Sequence, residues 1–387
     1  MIDGILILLL LLFFSANRHL LQPETIENYL HAKKEKSELR LLILLSFGLL
    51  FLGAIYSLPA THCSHLGVHY EKLSVNPFAF DSENPAGYRL LTPLISYIFG
   101  LHGRLIIVTN LLISVLMIGL VISYFKAVTG KISDGFFAGL VITFSMVILS
   151  TFHNGGYCDI LTYLLLFLMW RYKEKTILFY LFFLLGLLNR ESIAFLIPWF
   201  IYLNWESESK KIKAVLQILF GLSVTLILYY LFREWVSTNQ TIEFSADYYL
   251  QPLIDDPFYV FRQTLPNHGI GLFSVFKLLW IIPILYCYDK YRKKEFKQIF
   301  EIFLIIFCCY LQLFIAGDTT RMFTQAFMVM IIALKGLYDS EYIKFKKYQY
   351  WLVGFTLLVP QVNTAFQIVE IWNSSILSIF ESLVKKG

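Results

Sequence analysis

The sequence predicts an all-α, polytopic membrane protein, and its composition is the first reason. Hydrophobic residues make up 57% of the 387 residues and charged residues only 15%, and the mean hydropathy is +0.64. An average soluble domain contains about 25% charged residues. The chain therefore has too little polar surface for a soluble globule, and we expect an integral membrane protein.

The second reason is the succession of apolar runs. We predict about 11 to 13 transmembrane segments of uneven length, nearly all helical, because lipid offers no partner for unpaired backbone groups. No Pro-, Gly- or Ser-rich linker interrupts the runs, so residues 1–387 are predicted to form a single membrane domain. Residues 1–16 are expected to be a retained first helix, with a signal sequence as the alternative. The runs lie at about 4–16, 41–58, 104–125, 136–151, 158–170, 176–188, 192–203, 214–232, 270–288, 299–316, 322–338 and 349–366, with a weaker amphipathic stretch at 368–384.

The basic residues predict the orientation of these segments. Most of the 32 Lys and Arg residues cluster between alternate runs, and the positive-inside rule places these clusters in the cytoplasm. The remaining segments include a first extracytoplasmic loop, 59–103, and a long one, 233–268. The alternation holds only if residues 88–100 do not cross fully and if Asn189 to Glu191 form a turn between two half-length helices.

Arg190 and Glu191 are the only charged residues within 176–203. An ion in lipid costs several kcal/mol, so we expect both in a protein-lined cavity. Neighbours in sequence point apart on a helix, so each needs its own partner. The alternative to a functional role is a structural salt bridge to Asp159 or Arg321.

Further polar groups are predicted on the same outer face. Asp159 opens a helix after Gly155 and Gly156, either as a functional acid or as a complement to the helix dipole. Asp318 and Arg321 are three residues apart, and they are either functional or an N-cap with its ion-pair partner.

The outer loops add more candidates. The first loop contributes Asp81, Glu83, Tyr88 and Arg89, and the long loop contributes Asp247, Asp255, Asp256 and His268. Asp255 and Asp256 precede a proline and fit a turn. His153 is either an interfacial residue or part of the site.

Carboxylates and arginines on one membrane face suit a lipid-linked phosphate as substrate. An acid can take the proton from an attacking sugar hydroxyl while arginines hold the departing phosphate. No basic face with interleaved aromatic residues is present, so nucleic acid is not an expected partner.

Four motifs carry a resemblance to known proteins. They are YRLLTP (88–93), YCDI (157–160), NRES (189–192) and GDTTR (317–321). Together they resemble signatures of polytopic bacterial membrane proteins that are similar to the GT-C superfamily of integral-membrane glycosyltransferases. Over about 80–330, the resemblance implies a GT-C-like fold with interfacial helices in the first loop. It also implies a polyprenyl-phosphate sugar as donor, membrane lipid as surroundings, and a site on the extracytoplasmic face of the bacterial inner (plasma) membrane.

The chain departs from the GT-C pattern at the catalytic acid. That superfamily often carries D-x-D in the first loop, whereas Asp81 and Glu83 form only D-x-E here. Asp159 therefore competes with Asp81 as general base. We assign no metal ligands and no cofactor, although a divalent metal stays compatible with the chemistry.

The leading hypothesis is a membrane glycosyltransferase-like enzyme. Its catalytic candidates are Asp81, Asp159 and Glu191, the last as the orienter of an arginine. Its substrate-binding candidates are Glu83, Tyr88, Arg89, His153, Arg190, Asp318 and Arg321, with Arg89 and Arg190 as the phosphate clamp. The alternatives are a transporter or flippase of a charged or lipid-linked substrate, and a structural assembly partner.

Overall fold

The computed structural model describes residues 26–78, 86–207, 211–239, 255–340, 343–366 and 368–372. The predicted first helix and the acids Asp81, Glu83 and Asp247 lie outside this described part.

Helices make up most of the described part. They are α1 Ile26–Tyr56, α2 Leu66–Val75, α3 Leu91–Ile98, α4 Ile106–Thr129, α5 Ile132–Thr143, α6 Met146–His153, α7 Asp159–Arg171, α8 Thr176–Asn189, α9 Ile197–Ser207, α10 Lys211–Asn239, α11 Tyr259–Thr264, α12 His268–Phe276, α13 Ile281–Arg292, α14 Phe296–Leu311, α15 Thr319–Phe323, α16 Phe327–Asp339 and α17 Ile343–Leu358. Short 3-10 turns such as Gly103–Leu105 link several of them.

Six helical stretches of the described part are long and apolar enough to cross a membrane. They are Ser37–Tyr56, Gly103–Thr129, Val215–Asn239, Tyr259–Arg292, Phe296–Phe314 and Thr319–Asp339. Helices α5 and α6 add a seventh if the pair, bent by 46°, is one span. The chain is therefore a helical, polytopic membrane protein, as predicted.

In the described part the spans are fewer than the about 11 to 13 segments predicted for the whole chain, because several apolar runs form helices too short to cross alone. Helix α7 has 13 residues and α8 has 14. At 1.5 Å per residue, each reaches only about 20 Å of a hydrocarbon core that is about 30 Å thick. The predicted uneven lengths are confirmed, since the helices range from 5 to 31 residues.

The predicted break around Arg190 is confirmed. Helix α8 ends at Asn189, Arg190 is extended (φ −162°, ψ 118°), and a 3-10 turn, Glu191–Leu196, leads into α9. The segment 88–100 also behaves as predicted, because its helix α3 has only eight residues.

The predicted break at Gly155 and Gly156 is confirmed as well. Gly156 has a φ of +82°, a conformation that favours glycine, and α7 starts at Asp159. A Cβ atom on Gly155 would collide with the carbonyl oxygen of His62, and one on Gly67 would collide with that of Gly155. This close approach holds the first outer loop against the start of α7.

A β-hairpin corrects the prediction that nearly all apolar runs are helical. The run 349–366 ends its helix at Leu358, and after Pro360 the chain forms strand β1, Gln361–Ala365, paired antiparallel with β2, Ile368–Trp372. Proline disrupts a helix, and the β-branched residues that follow favour strands. The strands also replace the start of the predicted amphipathic stretch.

The hairpin is bonded to two helices. The backbone N–H of Val362 donates to Ser274 Oγ of α12 at 2.8 Å, and that of Thr364 donates to Thr320 Oγ1 of α15 at 2.9 Å. The stretch that α15 opens, Thr319–Asp339, is 83% buried over its apolar window, whereas Ser37–Tyr56 is 22% buried. The hairpin is thus hydrogen-bonded to the start of Thr319–Asp339, the most buried of the six long apolar stretches.

The close approach at Gly155 gives a stability prediction. Replacing Gly155 with Ala forces the backbone at His62 to move, and we expect a loss of about 1–3 kcal/mol in the free energy of unfolding, measured in mixed micelles. The matched control is Gly48→Ala in α1, where a Cβ meets no atom within 4 Å. Equal stability of the two variants would contradict the packing argument.

Candidate functional site

Asp159 is the centre of a buried ion cluster. One of its carboxylate oxygens pairs with Arg190 Nη1, and the other lies 3.6 Å from Arg321 Nε. Asp159, Arg190 and Arg321 are 7%, 3% and 6% exposed. Arg190 thus forms the salt bridge to Asp159 that stands as the structural alternative to a functional role, and this pair joins the break after α8 to the first turn of α7.

Asp318 completes the inner side of this cluster. Its Oδ1 accepts a hydrogen bond from the Arg321 backbone N–H at 3.0 Å, and its Oδ2 lies 3.1 Å from Arg321 Nε. The Arg321 guanidinium lies over the Tyr157 ring, 4.5 Å from its centroid. Asp318 is therefore both the N-cap of α15 and an ion-pair partner, as the sequence predicts, so these contacts alone give it a structural role.

Arg89 and Glu191 form a second, more accessible pair. Arg89 Nε donates to Glu191 Oε2 at 2.9 Å, and Nη2 donates to Oε1 at 3.3 Å. Arg89 Nη1 also donates to the Tyr70 hydroxyl at 3.2 Å. The Arg89 side chain is 24% exposed and that of Glu191 35%. The predicted role of Glu191 as orienter of an arginine has this two-point contact as its geometric basis.

The charge of Glu191 is set by two opposing effects. Glu191 lies in the break after α8, outside the long spans. Burial alone would raise the pKa of its carboxyl. The charge and hydrogen bonds of Arg89 lower this pKa by a larger amount, so the net pKa is about 2. Glu191 is thus ionised at neutral pH.

Arg233 on α10 joins this accessible pair, a role that the sequence analysis missed. Its guanidinium lies 4.5 Å from the Tyr88 ring centroid, and its charge acts on Glu191. The Tyr88 hydroxyl lies 3.0 Å from Ser237 Oγ, also on α10. The signal in the sequence was Arg233 itself, a basic residue at the predicted outer end of an apolar run.

Asn189 is a second residue that the analysis missed, although it opens the NRES motif. It is 1% exposed. Its Nδ2 donates to the Cys158 carbonyl at 2.8 Å and to Thr162 Oγ1 at 2.9 Å, and its Oδ1 accepts from Thr92 Oγ1 at 2.6 Å. Asn189 therefore ties α3 and α7 to the break that carries Arg190 and Glu191.

We call the combined set the outer arginine cluster, after the face on which the sequence predicts it. It consists of Arg89, Arg190, Arg233 and Arg321 with Asp159, Glu191 and Asp318. Within this described set, four cations face three anions. The cluster thus carries one positive charge in excess, which favours an anionic ligand.

Other predicted residues lie apart from these ion pairs. His153 Nε2 contacts Ser57 Oγ, and its ring stacks on Trp372 with 3.9 Å between centroids. Asp256 pairs with Arg262 and accepts a hydrogen bond from the backbone N–H of Phe258, which fits the predicted turn.

No family model matches this sequence, and no curated protein or solved structure is significantly similar to it. The likeness to the GT-C superfamily therefore stays a prediction. Within the described part of the chain, no group of three or more His, Cys, Asp or Glu side chains is placed to hold a metal ion.

The two ion pairs differ in burial, and this difference predicts unequal mutational costs. Asp159→Asn leaves Arg190 buried without its counter-charge and Arg321 with Asp318 alone, so we expect a loss of about 3–5 kcal/mol in the free energy of unfolding. Glu191→Gln affects a half-exposed pair and should cost about 1 kcal/mol or less. Denaturation in mixed micelles measures both, and a larger loss in Glu191→Gln would contradict the assignment.

The lowered pKa of Glu191 predicts a pH dependence. The carboxyl stabilises the fold fully above its ordinary pKa of 4.5, and this contribution is lost as the pH falls towards about 2. The stability difference between wild type and Glu191→Gln should therefore shrink as the pH is lowered from about 5 to about 3. Thermal unfolding across this range tests it, and a constant difference would contradict an ion pair.

Proposed function

We propose that the protein is a membrane glycosyltransferase-like enzyme that transfers a sugar from a polyprenyl-phosphate donor on the extracytoplasmic face. The observation that carries this proposal is the surplus of arginine in the outer arginine cluster. Guanidinium groups hold phosphate oxygens in a two-point geometry, and a departing phosphate is the anion that such a transfer produces.

The arginines divide into two roles. Arg190 and Arg321 are buried against Asp159 and support the cluster from within. Arg89 is partly exposed and Arg233 lies beside it, so we assign the phosphate clamp to these two. This refines the sequence-based clamp of Arg89 and Arg190, because a guanidinium that already faces a buried carboxylate has less capacity for a ligand.

A groove between three helices supports a lipid-linked substrate. Its cavity volume is about 580 Å³, and its mostly apolar lining comes from α8, α9 and α10. Of the lining residues, Leu228 is the nearest in sequence to Arg233. The next residue, Tyr229, is 7% exposed and close enough for Glu191 and Arg233 to act on it. A polyprenyl chain in the groove would bring its phosphate towards Arg89 and Arg233.

The geometry also ranks the candidates for general base. Both carboxylate oxygens of Asp159 face guanidinium groups, which makes it a weak base. We therefore assign proton abstraction to Asp81 and give Asp159 the task of positioning Arg190 and Arg321. Asp318 and Arg321 form the inner wall of the site.

A transporter or flippase is the second candidate, and one observation favours it. Ions lie at broken helices in the membrane region, both after α8 and within the span Tyr259–Arg292, and such breaks are common at transport sites. An enzyme converts its donor, whereas a flippase only moves it.

Binding of undecaprenyl phosphate tests the phosphate clamp. We expect purified protein in nanodiscs to bind it more tightly than the neutral undecaprenol, and Arg89→Gln should weaken this binding about tenfold, or about 1.4 kcal/mol. Lys72→Gln, which removes an exposed outer cation away from the cluster, is the matched control. Equal binding of the two lipids, or no effect of Arg89→Gln, would refute the clamp.

A second assay separates the enzyme from the flippase. Proteoliposomes that contain polyprenyl-phosphate-linked radioactive sugars, supplied with an acceptor that carries free sugar hydroxyls, should yield labelled acceptor and polyprenyl phosphate if the protein is a transferase, and Asp81→Asn should abolish both products. Movement of intact label between leaflets, without conversion, would instead support the flippase.

A further inference from the structure

Lys277 is a buried cation far from the outer arginine cluster in sequence. It lies inside the span Tyr259–Arg292, and no other Asp, Glu, Lys or Arg is found between Arg262 and Asp289. Its side chain is 0% exposed. Burial of a charged ammonium costs several kcal/mol unless it is paired.

The backbone at Lys277 is also in an unfavourable conformation. Helix α12 ends at Phe276, and Lys277, the first residue of the 3-10 turn Lys277–Trp280, has a φ of +50° and a ψ of −128°. A non-glycine residue at positive φ costs of order 1–3 kcal/mol. The chain thus breaks a membrane span with a strained, charged residue, a combination more typical of ligand sites than of helix packing.

The contacts of Lys277 leave its charge uncompensated. Its Nζ donates to the Tyr56 hydroxyl at 3.3 Å and to the Val359 carbonyl at 3.4 Å, and it lies 5.1 Å from the Tyr56 ring centroid. Among the described residues, no carboxylate lies within ion-pair distance. An ammonium has three N–H donors, so these two neutral acceptors leave one donor and the charge for a ligand.

Gln361 provides a second, independent observation. It is 2% exposed, and its Nε2 donates to the Ser274 carbonyl at 3.0 Å and to Ser274 Oγ at 2.8 Å. Its Oε1 is buried and has no hydrogen-bond partner in the described part of the chain. The contact with a carbonyl requires the amide nitrogen at that position, so the oxygen stays without a donor. Ser274 precedes Lys277 by one helical turn, and Gln361 follows Val359 by two residues.

We propose that Lys277 and Gln361 form a second anion site, which binds a phosphate group in its hydrogen-phosphate form. Such a group accepts from the ammonium through an ionised oxygen and donates through its P–OH to Gln361 Oε1. A carboxylate satisfies only the first contact, because it has no proton to donate. The second pKa of a phosphomonoester is about 6, so both forms exist near neutral pH.

The site is closed in the present conformation. Val359 and Gln361 lie at the start of the hairpin segment, which packs over Lys277 and leaves it no exposed surface. Entry of a ligand therefore requires movement of residues 359–365, which are held to α12 through Ser274 and to α15 through Thr320.

The test measures binding of radioactive dodecyl phosphate to the full chain in nanodiscs. The Arg89→Gln background weakens the clamp of the outer arginine cluster, and the Lys277 variants are compared within it, so failure of the proposed glycosyltransferase site does not affect their difference. We expect saturable binding in this background, at least a tenfold loss with Lys277→Met, and retention with Lys277→Arg.

Gln361→Met serves as a second variant should Lys277→Met not fold. It keeps the ammonium and removes only the acceptor for the P–OH, so a loss of about threefold is expected, since the loss of one hydrogen bond is worth about 0.5–1.5 kcal/mol. Unchanged affinity in either folded variant overturns the proposal, as does the absence of saturable binding in the Arg89→Gln background.

Competition separates the two sources of the phosphate group. Displacement of dodecyl phosphate by inorganic phosphate would assign the site to a free anion. Displacement by dodecyl phosphate alone would assign it to a lipid headgroup. Equal displacement by decanoate would contradict the role of Gln361 as acceptor, because a carboxylate cannot donate to it.

Discussion

The ion pairs of one buried carboxylate determine how three segments of the bundle are arranged around it. Asp159 opens α7, and its two oxygens face Arg190, in the break after α8, and Arg321, on α15. Each of these charges would be costly alone in an apolar interior, so the three segments are stable only when they meet. The break in the helix and the cluster of charges are thus linked, because the extended backbone at Arg190 accompanies the pairing of Arg190 with Asp159 and of Glu191 with Arg89.

The features that the sequence could predict are local ones. Two adjacent ions in an apolar run predict the break after Asn189, and Gly155 with Gly156 predicts the start of α7, because these residues impose their conformations on their immediate neighbours. The pairing of Arg89 with Glu191 joins residues 102 positions apart, so no local pattern could predict it. The hairpin was missed for a related reason, since a short apolar run fits a strand or a helix equally well until its neighbours are known. Lys277 did carry a signal, as a single charge in a long apolar run.

Burial separates the outer arginine cluster into two layers with different physical properties. The inner layer around Asp159 is almost fully excluded from solvent, so its charges interact strongly and its geometry is rigid. The outer layer of Arg89, Glu191 and Arg233 is partly exposed, so its pairs are weaker and an incoming anion can exchange with Glu191 at lower cost. A rigid inner layer that orients an exchangeable outer layer is the arrangement that a binding site requires, because the ligand then meets donors already held in place.

The two kinds of cation in this protein reflect two ways of placing charge in a membrane. The arginines share carboxylates within the chain through planar, two-point contacts, so the outer arginine cluster is nearly neutral without a ligand. Lys277 has only a hydroxyl, a carbonyl and the face of an aromatic ring as partners. These contacts lower the free-energy cost of burying its ammonium group but do not neutralise its charge. Helix packing alone would be better served by an apolar residue of the same volume with ordinary backbone angles. Within the described part of the chain no carboxylate neutralises Lys277, so the proposed anion would offset the cost of its burial, and the buried acceptor of Gln361 favours an anion that also carries a proton.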